Sequence, residues 1–207
     1  PSDLAALRRT LRANPKSVAI FGADHVYKMN IRQMLEYHWQ KGAEVTVAAL
    51  PVRIAEAATF GVMEVDHDWR MRGFEEKPEN PRSTPGEPDW ALISMGNYIF
   101  EKKILLDALE DDALQVRSSH DFGLDILPRL VKEGRKVYAY DFRTNRIPDT
   151  VKGEEPSYWR DIGTIDAYFE ANMDLRNADP SLNLYNRNWP IRTVSYGDPP
   201  AKFVFDE

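Results

Sequence analysis

Two short apolar runs with a helix-spaced stretch between them constrain this chain more than any other feature. Residues 17–21 follow Asn14 and Pro15 and stop at Gly22, as a buried strand does where it emerges from a sheet. Ile31, Met34, Leu35 and His38 then recur at helical spacing until Gly42, and a second apolar run fills 45–50. Such a strand, helix, strand unit predicts neighbouring parallel strands joined by a right-handed crossover. Asp24 falls just past the C-terminal end of the first strand, the side on which open α/β sheets bind ligands.

Downstream, 61–65 and 71–77 predict a hairpin across the polar turn 66–70, and the proline-rich stretch 80–89 predicts a surface loop. A strand is expected at 93–100 and a helix with a charged face at 102–110. Residues 121–133 carry Leu124, Leu127, Leu130 and Val131 at helical spacing, with Pro128 predicting a kink. Residues 137–142 read as a strand and 164–177 as a helix N-capped by Thr164. After Asn177 no period survives, and prolines at 180, 190, 199 and 200 mark an irregular connector. The expected architecture is α/β, a mixed, mostly parallel sheet flanked by helices.

With 207 residues, 43% hydrophobic and 11% aromatic, the chain has enough apolar material for one substantial core. Its net charge is −6 and its cations are scattered, which argues against nucleic-acid binding. An acidic chain can still bind a phosphorylated metabolite where a few cations or a metal make a local positive site. The absence of cysteine excludes disulfides, thiolate zinc sites and a cysteine nucleophile, and fits a cytoplasmic protein. No run is long enough to span a membrane, and no signal-peptide order opens the chain, so a soluble protein is expected.

Three residues are candidates for chemistry. Asp24 lies at a strand end and Asp161 directly ahead of a predicted helix, and two carboxylates with water and phosphate oxygens suit a magnesium ion. Each has a plainer reading: Asp24 as a turn or cap residue, Asp161 as a carboxylate favoured by the helix N-terminus. His25 reads more readily as a hydrogen-bonded loop histidine than as a ligand. Lys77, released from its strand by Pro78, can offer a mobile point charge to a phosphate, or be a solvated lysine.

Six strings occur in order along the chain: Gly22-Ala23-Asp24-His25-Val26-Tyr27, Phe74-Glu75-Glu76-Lys77-Pro78, Ser94-Met95-Gly96-Asn97-Tyr98, Ser118-Ser119-His120-Asp121-Phe122-Gly123, Tyr158-Trp159-Arg160-Asp161-Ile162-Gly163-Thr164 and Asn188-Trp189-Pro190-Ile191-Arg192-Thr193. In that order the chain resembles the glucose-1-phosphate adenylyltransferases, and the last three strings favour the ADP-glucose branch over relatives using other nucleotides. The resemblance implies the fold of the nucleotide-diphospho-sugar transferases, which is Rossmann-like. It implies transfer of the adenylyl group of ATP to α-glucose 1-phosphate, with Mg2+ as cofactor and pyrophosphate as the other product, in the synthesis of glycogen.

Residue by residue, the resemblance makes Asp24 and Asp161 the metal-binding pair, with Asp24 essential to the chemistry. It makes Lys77 the holder of the sugar phosphate, and Gly61, Glu76, Ser94, Tyr98, Asp121, Phe122 and Trp159 glucose 1-phosphate contacts. Strict strand alternation sets Glu75, rather than Glu76, on the face of Lys77. The family's glycine-rich ATP loop has no counterpart in these residues, and 199–204 resembles the passage into a β-helix domain. The expectation is therefore an incomplete fold: 1–177 the C-terminal part of a catalytic domain, 178–207 a connector, and a piece inactive by itself. The parent is expected to be a cytoplasmic homotetramer acting on ATP and glucose 1-phosphate, with no nucleic-acid or membrane partner. Alternatives are a non-catalytic regulatory subunit of the same family, or a transferase using another nucleotide.

Overall fold

In the structure, a computed structural model, residues 14–84, 86–148, 157–192, 194 and 197 are described. The elements, in chain order, are β1 (Ser17–Phe21), β2 (His25–Tyr27), α1 (Ile31–Gln40), β3 (Val45–Arg53), β4 (Gly61–Val65), β5 (Met71–Glu76), β6 (Trp90–Glu101), α2 (Lys102–Ala113), α3 (Leu127–Lys132), β7 (Val137–Asp141), β8 (Trp159–Asp161) and α4 (Ile165–Asp174). A 3-10 turn, Ile54–Thr59, joins β3 to β4, and a second, Phe142–Thr144, follows β7.

β5, β4, β6, β3 and β7 lie side by side in one sheet, with β1 added to the free edge of β6. β3 is buried along Val45–Ala49 on both faces, which is why its sequence is a continuous apolar run. On one face Val45, Val47, Tyr98 and Phe100 pack against Ile104, Leu105 and Ala108 of α2 and Leu127 and Leu130 of α3. On the other, Ala48, Met95, Ile99 and Tyr140 pack around Met34 of α1. Each fully buried Leu, Ile or Val contributes roughly 1.5–3 kcal/mol, so this sandwich is the main source of stability.

The mixed α/β sheet agrees with the expectation, but its expected mostly parallel character does not hold. Among the described residues only β3 and β7 pair in parallel; the β1–β6, β3–β6, β4–β5 and β4–β6 pairings are antiparallel. The reason is β6. β1 and β3 point the same way, as the strand, helix, strand pattern predicts, but β6 lies between them and runs against both. The 61–77 hairpin forms as expected, with Asp66 Oδ1 accepting from the backbone N–H groups of Asp68 and Arg70 to close its turn.

Helix ends follow capping chemistry. Asn30 Oδ1 accepts from Gln33 N at the start of α1, and Thr164 Oγ1 accepts from Ala167 N at the start of α4, as its sequence position predicted. The segment predicted as a helix over 121–133 forms in two parts: a π-helical turn, Phe122–Ile126, runs directly into α3, and Pro128 falls in the first turn of α3, just past the change of helix type.

Two irregularities shape the site. Between the pairs Val47↔Tyr98 and Ala49↔Ser94, β6 spends Met95, Gly96 and Asn97 against Ala48 alone, a bulge in which Gly96 takes φ +72°. β2 and β8 form a separate ribbon of three residues each, with His25 opposite Asp161, extended by a hydrogen bond from Ile162 N to Asp24 O. No described helix is long and apolar enough to cross a membrane. After Asp174 the described residues carry no helix or strand. The 199–204 passage lies outside the described residues.

Candidate active site

Each string that carries chemistry ends at a break in regular structure, and the breaks meet. Asp24 follows β1; Lys77 follows β5 and adopts φ +47°, a left-handed conformation uncommon for a side-chain-bearing residue. That flip ends strand alternation and resolves the Glu75 and Glu76 question: Glu76 faces Gly61 across the hairpin and lines the same cleft as Lys77, while Glu75 is exposed on the opposite face.

The cleft encloses about 210 Å³ between sheet and ribbon. Its lining unites Asp24, Gly61, Glu76, Lys77, Ser94, Tyr98, Trp159 and Asp161, eight of the ten residues singled out from sequence. Asp121 and Phe122 are not part of the lining: the exposed Asp121 caps the π-helical turn, its Oδ1 accepting from Gly123 N at 2.7 Å and Leu124 N at 2.9 Å, and Phe122 stacks on Tyr98 at 5.5 Å. His25, Thr59, Phe60, Met95 and Gly96 also line the cleft and were not among the expected contacts. A glycine inside a strand signals a bulge or a close approach, so Gly96 was legible in principle. Phe60 carried no such signal.

At one end, the nearest ligand atoms of Asp24, His25 and Asp161 all lie within 4.8 Å of one another. Asp161 Oδ1 is steadied by Gly163 N at 3.0 Å, whereas the Asp24 side chain is 69% exposed. Two carboxylates at this spacing fit a hard divalent cation that keeps open positions for substrate oxygens. The ring of His25 fits less well as a third ligand. It packs against Trp159 at 5.2 Å and fills the space a Cβ on Gly96 would need, that Cβ falling 2.9 Å from Cε1. Its Nδ1 is buried without a hydrogen-bond partner among the described residues, and its Nε2 lies 3.4 Å from Asp24 Oδ1. Ligation through Nε2 would put the proton on Nδ1 and leave a buried donor unpaired. A proton on Nε2 facing Asp24 leaves only an unpaired acceptor, the cheaper defect. His25 therefore suits a role as the neighbour that orients Asp24.

At the other end, Glu76 is wedged between two glycines: a Cβ on Gly61 would come within 2.7 Å of Glu76 Oε2, and one on Gly123 within 2.5 Å. Burial pushes the Glu76 carboxyl above its ordinary range, Lys77 opposes the shift and Asp121 adds to it. Burial also pushes the Tyr98 hydroxyl up to about 12, with Ser94 opposing and Glu76 and Asp121 adding, so Tyr98 is a neutral donor at physiological pH. Trp159 offers an apolar face between the two ends, braced edge-on by Phe60 at 5.6 Å.

Comparison with known proteins identifies the family. Residues 4–178 match the family described as Nucleotidyl transferase. The chain is 54% identical over 193 residues to a glucose-1-phosphate adenylyltransferase of Thermus thermophilus, covering 93% of this chain and 46% of that protein. It is 56% identical over 191 residues to glucose-1-phosphate adenylyltransferase 1 of Vibrio cholerae, covering 92% and 46%. With the glucose-1-phosphate adenylyltransferase of Photobacterium profundum the figures are 54% over 196 residues, 94% and 47%. The chain thus spans about half the length of the curated relatives it matches.

Proposed function

This chain belongs to the nucleotidyl transferase family, and from that premise we propose that its protein transfers the adenylyl group of ATP to α-glucose 1-phosphate, giving ADP-glucose and pyrophosphate for glycogen synthesis. The observation that carries the reading is the meeting of Asp24 and Asp161, far apart in sequence, in a cleft also lined by Lys77 and Glu76.

The chemistry needs no covalent intermediate on the enzyme. A phosphate oxygen of glucose 1-phosphate bonds to the α-phosphorus of ATP as the bond to the β-phosphate bridge breaks, and pyrophosphate leaves with that electron pair. The task of the protein is to align two polyanions that repel each other. Lys77 places an ammonium beside the sugar phosphate, and its left-handed backbone aims it into the cleft side of the hairpin. Ser94, Tyr98 and Glu76 offer hydrogen-bonding groups to hexose hydroxyls, and Trp159 a face for the apolar side of the ring. Asp24 and Asp161 would hold Mg2+, which when bound neutralises phosphate charge as the transfer proceeds.

The family match over 4–178 supports reading 1–177 as the C-terminal part of a catalytic domain, and 178–207 is proposed as a connector. A cytoplasmic homotetramer is the assembly to test by light scattering. The direct test is calorimetric titration with glucose 1-phosphate. Saturable binding in Mg2+ that EDTA removes, and that Lys77→Ala weakens, supports the reading. Binding undiminished by EDTA, or none at all, rejects it.

A further inference from the structure

Asp112 is a carboxylate in an unfavourable place. It lies in the last turn of α2, where the helix dipole opposes negative charge, and it is only 4% exposed. Its partners explain its retention. Ser118 Oγ donates to Asp112 Oδ1 at 2.7 Å, His120 Nδ1 meets Oδ2 at 2.8 Å, and His120 N donates to Ser118 Oγ at 3.0 Å. Burial alone would push the Asp112 carboxyl up; the bonds from His120 and Ser118, with the charges of His120 and Arg129, bring it below its ordinary range instead.

The second irregularity is His120 itself, which takes φ +60° immediately before Asp121. Its side chain is 59% exposed, so its contact with Asp112 adds little packing. What the contact does is fix where the chain goes next. Asp121 caps the π-helical turn, Phe122 stacks on Tyr98, and Gly123 leaves room for Glu76 Oε2. A displacement of 118–121 therefore reaches the cleft through Tyr98 and Glu76.

Resting on the glucose 1-phosphate reading above, we propose that Asp112 and His120 form a latch that sets the wall behind Glu76 and Tyr98, and so act as positioning residues for the sugar phosphate without touching it. The latch governs sugar-phosphate affinity and leaves the metal end alone, because no part of it reaches Asp24 or Asp161.

The experiment compares wild type, Asp112→Asn and His120→Gly by three measurements: glucose 1-phosphate affinity at saturating Mg2+, Mn2+ affinity without sugar, and thermal unfolding. Glycine suits the left-handed backbone, so His120→Gly removes the ring without straining the loop. Asp112→Asn should weaken sugar-phosphate binding about tenfold and His120→Gly about threefold, with Mn2+ affinity unchanged in both. The double variant should bind little worse than Asp112→Asn alone, because one latch is being removed twice. Lower thermal stability with unchanged sugar-phosphate affinity overturns the proposal, and so does a matching loss of Mn2+ affinity. Wild type that binds no glucose 1-phosphate defeats the functional reading underneath instead. Should Asp112→Asn fail to fold, His120→Gly decides the matter.

Discussion

The six-stranded sheet and the two-stranded ribbon meet at one cleft but are built for different ends. In the sheet, β3 and β6 are buried on both faces along most of their length and clamped between helices. The ribbon has three residues per strand, all half-buried. It is tied to the sheet by a few contacts: Asn97 Nδ2 donating to Tyr27 OH at 3.0 Å, Phe21 stacked on Tyr27 at 6.4 Å, and Trp159 packed on Phe60. Stability therefore resides in the sheet, and the carboxylates proposed to bind metal, Asp24 and Asp161, sit where little stability is at stake. Such a division lets charged groups converge without an energetic burden on the core.

The sharpest way to break this comparison is Asp24→Asn. On the proposed function, turnover of the full-length parent, followed as pyrophosphate release, should fall on the order of 10³-fold, equivalent to about 4 kcal/mol in the barrier. Unfolding should change by no more than ~0.5 kcal/mol, because the side chain is largely exposed. A variant that unfolds markedly earlier would show that the ribbon carries structure after all.

The next effect belongs to the sheet. His38 on α1 is buried against β3, with Nδ1 2.8 Å from Thr46 Oγ1, and burial lowers its pKa from 6.5 to about 4. Between those values the unfolded chain takes up a proton that the folded chain resists. Stability should therefore be complete above pH 6.5 and fall as pH drops toward 4, by on the order of 3 kcal/mol in total. About 2 kcal/mol of that should be gone at pH 5. Urea unfolding at pH 5 and 7 checks it: His38→Gln should flatten the difference, and equal slopes in parent and variant would remove His38 as the cause.

How much of this was legible depends on the range of the interaction. The hairpin, the Thr164 cap and the Asp24 strand end are local features, and the residues that make them are adjacent in sequence. Strand direction was not local: β1 is paired by Phe21↔Asn97 and Ser17↔Glu101, and nothing near β1 announces that β6 will come between it and β3. Likewise the two carboxylates were visible as motif members, but their approach depends on β2 finding β8 across most of the chain. Asp121 was visible too, yet its carboxylate is occupied with Gly123 N and Leu124 N, a commitment that only the π-helical turn reveals. His120 stands inside one of the six strings, but nothing in the sequence pairs it with Asp112, because a buried acid and an exposed histidine look ordinary until their separation is known.

Where sheet and ribbon share a wall, the two effects should appear together. At Gly61 a Cβ would overlap the Phe74 ring and crowd Glu76 Oε2. Both obstacles are side-chain ends that can shift, so Gly61→Ala should cost about 1–3 kcal/mol of stability without unfolding the protein. It should also weaken glucose 1-phosphate binding by displacing Glu76. Loss of stability with intact binding would place Gly61 with the sheet alone.

The smallest expected effect tests the ribbon from behind. Thr164 caps α4, the helix that follows β8 and holds Arg160 through Glu170 and Asp174. Removing the cap with Thr164→Ala should cost about 1 kcal/mol. Because α4 contributes only Ala171 to the buried residues, the loss should be local. Amide exchange should quicken in the first turn of α4 and at Ile162, whose N–H is bonded to Asp24 O, while β3 and β6 keep their protection. Faster exchange spread evenly through the sheet would mean that ribbon and sheet open as one cooperative unit, and the contrast between them would lose its energetic basis.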